Sequence, residues 1–284
     1  MRPPLIEWAS EAFRMGAGQL ADYQTWDAEL RASAPAARRV DCVGLTGGTG
    51  CSHLAARLGV LLAHRRGGRV LGVDAGANAT FTRLVGAVAK DVPPANVPGE
   101  RADRRLHAPV SMNLADEAIS AMRVGRAGLV VTRPEGWEKG EDHTQRRPSD
   151  WLRSAEPVRR FFDIVVTDWG RRSPAIDLEQ AISGSQVVAL VCRADRASLE
   201  QAVSVASGVS AATPCVVCAV DVTGSGWRAA RVAARWGVSQ VHYLPFLEAP
   251  AVGLPSFATR RALVGLAATL VRHTLAGGKT AGDQ

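Results

Sequence analysis

Val43-Gly44-Leu45-Thr46-Gly47-Gly48-Thr49-Gly50-Cys51-Ser52-His53 is the stretch that decides the fold. A short apolar run ends in a glycine-rich turn, and a segment with helical apolar spacing (Leu54, Leu58, Leu61, Leu62) starts at once. Strand, glycine loop and helix, in that order, build a cradle for phosphate. The glycines let backbone N–H groups turn inward with no Cβ in the way, and the new helix points the positive end of its dipole at the anion. Ser52 follows where such a loop carries a hydroxyl for Mg²⁺. The expected lysine is missing, and Cys51 stands in its place.

Outward from this stretch, strands alternate with helices, which argues for an α/β fold: a doubly wound, mostly parallel sheet of about 7–8 strands with helices on both faces. Strands are expected at 40–45, 69–73, 127–132, 162–167, 186–192, 214–220 and 239–244. Helices are expected at 52–64, 78–89, 113–123, 149–160, 175–183, 196–208, 224–236 and 257–275. Two long charged loops, 90–110 and 133–148, have the character of lids or binding loops. Residues 1–38 read as a short helical N-terminal extension ending in an Ala/Pro/Arg linker, Ala34 to Arg39. Trp8, Phe13 and Trp26 in it are expected to pack back on the main domain, 39–276, and 277–284 form a polar tail.

Of the chain's 284 residues 46% are hydrophobic, enough for a sizeable core. No apolar run reaches the roughly 18 residues of a membrane helix, and Met1-Arg2-Pro3-Pro4 does not open a signal peptide, so a cytoplasmic protein is expected. Five scattered cysteines do not make a disulfide framework, and Cys215 and Cys218, despite their CxxC spacing, sit in a strand pattern. A net charge of +7 permits contact with nucleic acid, although arginine-rich chains are also common in GC-rich genomes. The last helix carries Leu263, Leu266 and Leu270 on one face, a pattern better suited to core packing than to membrane anchoring.

Further motifs accompany the glycine loop. Val70 to Asp74 reads as a second strand ending in Asp, and Phe161 to Asp168 as a buried strand whose terminal carboxylate suits Mg²⁺. Late strands end at Asp221 and at Leu244-Pro245-Phe246. All these tips fall at the carboxyl edge of the sheet, where open α/β folds bind ligands.

With these motifs the chain resembles the MinD/ParA group of P-loop ATPases, whose deviant Walker A motif reads KGGxGK[ST][ST]. The resemblance runs over about residues 40–275 and implies ATP or ADP with Mg²⁺ as the ligand. It assigns Gly47, Gly48, Thr49, Gly50, Cys51, Ser52 and His53 to the phosphates, Asp74, Asp221 and Pro245 to the rest of the nucleotide, and Ser52 and Asp168 to the metal. It also shows what is altered. Thr46 and Cys51 replace the group's two lysines, Gly76 the water-orienting Asp, Asp221 the adenine-side Asn, and Leu247 the Asp after the Pro turn.

Phosphoryl transfer rests on positioning and charge stabilisation, and each lost contact typically costs about 2.7–4 kcal/mol in the transition state. Backbone N–H groups and the helix dipole survive these substitutions. The expectation is a degenerate, non-hydrolysing pseudo-ATPase with a protein partner, or a second copy of itself, in a positioning, secretion or pilus-type assembly. The alternatives are a slow ATPase, with Arg171 or Arg172 supplying the missing charge beside a catalytic Asp168, and a ParA-like nucleoid-DNA binder. Whether the site binds any nucleotide is open at this level.

Overall fold

The computed structural model describes residues 17–33, 37–67, 69–76, 80–88, 123–124, 129–132, 148–149, 159–211, 213–236, 241–245 and 256–276. The expected helix at 149–160 falls almost wholly outside them. So do that at 113–122, the loops 90–110 and 133–147, Trp8, Phe13, Leu247 and the tail 277–284.

Among the described residues eight strands form one sheet: β1 (Arg38–Gly44), β2 (Val70–Asp74), β3 (Arg123–Val124), β4 (Leu129–Thr132), β5 (Ile164–Arg171), β6 (Val187–Arg193), β7 (Cys215–Val220) and β8 (Val241–Leu244). Their order is β3-β4-β2-β5-β1-β6-β7-β8, and every pairing is parallel except that of β3 with β4. The chain leaves β1 toward β2 on one side and returns from β5 to β6 on the other, so the connections part at the tip of β1. That is where an α/β sheet opens a crevice. The glycine loop lies there.

Strand alternation sorts the core into two layers. Val40, Cys42, Val166, Val191 and Cys218 face α2 (Cys51–Arg65), α3 (Thr80–Val88) and α7 (Phe257–Ala276). Val43, Val165, Leu190 and Val217 face α4 (Leu178–Ile182), α5 (Arg196–Val209) and α6 (Trp227–Ala234). Cys215 and Cys218 fall in opposite layers, three residues apart on a period of two, so they cannot share a metal. Arg123 was expected at a helix end but forms the two-residue β3, an antiparallel edge strand too short to leave a pattern in sequence.

Helix α1 (Ala17–Arg31) of the N-terminal extension lies on α7. The Trp26 ring packs over Gly265, where a Cβ would come within 3.2 Å of it, and Leu30 is fully buried. Ion pairs Arg261–Asp22 at 3.0 Å, Arg272–Glu29 at 2.9 Å and Arg65–Asp27 at 2.7 Å surround the seam. The expected packing of Trp26 is therefore observed, and the apolar face of α7 is buried in the core. No helix among the described residues is long and apolar enough to cross a membrane.

Candidate functional site

The loop after β1 is shaped by two left-handed glycines, Gly48 at φ 71° and Gly50 at φ 81°, the latter being the residue from which α2 starts. A side chain at either position would be strained. Gly44 is needed for a different reason: a Cβ there would lie 2.7 Å from Thr49 Oγ1, because Thr49 folds beneath the loop and is buried. Thr46, Gly47 and Gly48 remain exposed. Leu54 N–H bonds Gly50 O at 2.9 Å, so the N–H groups of Cys51, Ser52 and His53 ahead of it have no intrahelical acceptor. The result is a row of free donors at a helix N-terminus, the arrangement that binds phosphate.

Beneath the loop, Cys51 turns into the sheet. Its thiol donates to Asp168 Oδ1 at 3.5 Å and is nearly inaccessible to solvent. Burial, and after it the charge of Asp168, pushes its pKa well above the ordinary thiol value, so Cys51 is a neutral donor and not a nucleophile. Where the phosphate-binding lysine would extend outward, this side chain points down.

Asp168 near the end of β5 is buried, with Oδ1 accepting from Gly170 N–H at 3.0 Å and Oδ2 lacking a hydrogen-bond partner among the described residues. Burial raises its pKa to about 6, aided by the neighbouring charge of Asp74, while the Ser52 hydroxyl, Gly170 N–H and Cys51 thiol pull the other way. Ser52 and Asp168, distant in sequence, thus meet beneath the loop. His53 lies half-buried in the first turn of α2; burial, then Arg57, lowers its pKa, leaving a neutral imidazole at pH 7.

Three other sequence-marked groups are occupied elsewhere. Asp74 sits opposite Asp168 in the β2–β5 register, and its Oδ2 accepts from Thr82 N–H at 3.1 Å and Thr82 Oγ1 at 2.7 Å, tying down the first turn of α3. Arg172 is buried; its guanidinium donates to Asp177 Oδ2 at 2.8 Å, Ala75 O at 3.1 Å and Trp169 O at 3.2 Å and lies over the Trp169 ring. It clamps the chain after β2 to the end of β5, where a Cβ on Gly170 would lie 3.3 Å from Gly76 Cα. Arg171 instead is exposed at the level of Gly44. Asp221 is buried at the tip of β7, with Thr223 N–H and Ser225 N–H each 3.1 Å from Oδ1 and Gly226 N–H 2.6 Å from Oδ2. Burial pushes its pKa up, but those N–H bonds outweigh burial and hold it below the ordinary value. Pro245 follows β8, half-buried.

Arg172→Ala should cost about 2–4 kcal/mol of stability by stranding Asp177 and two carbonyls, read as a shift in urea unfolding midpoint.

No family model matches the chain, and neither does any curated protein. Solved structures do. A plasmid partition protein from Borrelia burgdorferi bound to AMPPNP superposes with a TM-score of 0.55 at 15% identity, covering 84% of this chain and 99% of that one. The cell division ATPase MinD of Pyrococcus furiosus gives 0.52 at 18% identity, over 83% of this chain and 98% of that one. The septum site-determining protein MinD of Pyrococcus horikoshii, complexed with Mg-ADP, gives 0.52 at 16% identity over 81% and 94%. The fold is that of the MinD/ParA-type P-loop proteins.

Proposed function

We propose that this chain is a degenerate MinD/ParA-like protein that has kept a phosphate cradle and lost hydrolysis. It acts by binding, as a scaffold or regulator joined to a protein partner in a positioning or secretion-type assembly. The observation that carries this reading is Cys51: at the lysine position a neutral thiol turns down to Asp168 and leaves the cradle to backbone N–H groups alone. The site fits a nucleotide with Mg²⁺. Phosphates would lie on the N–H groups of Gly48 to His53, and the cation would be held by Ser52 and Asp168, whose buried Oδ2 is otherwise without a partner among the described residues. When bound, the cation supplies positive charge against the phosphates; on this chain the loop donors orient them. Thr46 and Cys51 give the loop no lysine and position 76 is Gly, so none of the three stabilises or directs an attack on them.

Cys51→Lys tests the reading. A lysine restored to an intact cradle adds a charge-assisted contact, expected to tighten MgATP binding by at least about tenfold in calorimetric titration. No detectable binding by either the parent or the folded variant would show that the cradle does not hold phosphate.

A further inference from the structure

On the β5 side of the cradle the chain after β2 is tied to β5: Ala75 N–H bonds Asp168 O at 2.9 Å, Arg172 bonds Ala75 O, and a Cβ on Gly170 would stand 3.3 Å from Gly76 Cα. A nucleotide whose phosphates rest on the start of α2 must therefore extend its nucleoside over the tips of β6, β7 and β8. Gly50 borders this side directly, since a Cβ on it would stand 3.3 Å from Val220.

At each of these three tips the polar side chain is spent on its own loop. After β6, Asp195 caps α5, accepting from Ser198 N–H at 2.9 Å and Ser198 Oγ at 3.0 Å. After β7, the carboxylate of Asp221 takes three backbone N–H groups, with the hydroxyls of Thr223 and Ser225 at 3.2 and 3.3 Å. On β8, the Tyr243 hydroxyl donates to Gly226 O at 3.1 Å, closing the same turn from the far side. A base is distinguished from another by donors and acceptors held ready for its edge, and such groups discriminate by about 10⁴–10⁵. Asp221 is buried, its Oδ1 already taken by two N–H groups and two hydroxyls and its Oδ2 by Gly226 N–H.

We propose that this site holds a nucleoside triphosphate by its phosphates and does not select the base, with Asp221 as the residue that closes the base end. The proposal rests on the nucleotide reading above and narrows it: the ligand class is polyphosphate, with any base attached.

Calorimetric titration of the full chain with the Mg²⁺ salts of ATP, GTP, CTP and UTP tests it. The four Kd values are expected to agree within about fivefold, because among the described residues the side chains of Asp195, Asp221 and Tyr243 are engaged within their own loops. Asp221→Asn, which can donate as well as accept, is expected to leave those ratios unchanged. One triphosphate binding more than about tenfold tighter than the other three, or a base preference that Asp221→Asn removes or creates, overturns the proposal. If none of the four binds, the nucleotide reading itself falls and takes this inference with it.

Discussion

Asp168→Asn is expected to raise the stability of the metal-free protein by about 3 kcal/mol at pH 7.5, and the gain should disappear near pH 4. The cause is burial, seconded by Asp74, which lifts the Asp168 carboxyl from 3.8 to about 6 in the folded protein, a difference worth about 3 kcal/mol at 1.36 kcal/mol per pH unit. Because the folded state holds its proton more tightly than the unfolded chain, stability falls as pH rises from about 4 to about 6 and stays low above that. Below this window both states are protonated and the penalty vanishes. The asparagine keeps an acceptor for Gly170 N–H and carries no charge, so it escapes the penalty at every pH. Denaturant unfolding of both proteins in chelator at pH 4, 5, 6 and 7.5 gives the profile. A difference that is flat with pH would mean that Asp168 is well hydrated or already neutralised. On the reading proposed above, the same cost is what a cation between Ser52 and Asp168 would relieve.

Asp41→Ala is expected to cost about 3–5 kcal/mol, read as a lowered urea midpoint. Asp41 and Arg39 lie on the same face of β1 and are both buried, Arg39 at 2% and Asp41 at 0% exposure. The guanidinium meets the carboxylate through Nε at 2.9 Å and Nη2 at 2.6 Å, and Nη2 also donates to Ala181 O at 2.7 Å. The Ser185 hydroxyl donates to the same carboxylate. Removing Asp41 strands a buried cation and the Ser185 hydroxyl, whereas removing both charges leaves only the neutral Ser185 hydroxyl and Ala181 O unmet. Arg39→Met combined with Asp41→Leu should therefore regain most of the loss. A loss below about 1 kcal/mol for Asp41→Ala would show that water reaches Arg39.

Much of this molecule is legible in its sequence, and the limits have physical causes. The glycine loop could be read because its pattern is local: glycines, then a hydroxyl, then helical apolar spacing. The pairing of Ser52 with Asp168 followed once the loop and the fourth long apolar strand were set at the same sheet edge. Arg39 was read as the end of a linker, yet β1 already includes it, because its partners at Ala181 and Ser185 arise only when β6 lies beside β1. Arg172 looked like a phosphate ligand from its place after Asp168. Nothing in sequence marked Asp177 and Ala75 O as its takers, although an Arg and an Asp five residues apart around Pro174 is the one signal that a loop clamp would leave. Asp221 lies at the tip of β7, as the strand pattern indicates, but whether it faces a base or its own turn depends on backbone dihedrals. The Thr-Gly-Ser-Gly run at 223–226 hinted at the turn.

The central claim is a phosphate cradle without hydrolysis, and one paired measurement addresses it most directly. The full chain is titrated with MgATP in a calorimeter, and the same sample is then followed for released phosphate. Saturable binding with phosphate release no faster than the protein-free control is the predicted result. Sustained release that Asp168→Ala abolishes would contradict it, and would make this chain an ATPase that works without a loop lysine.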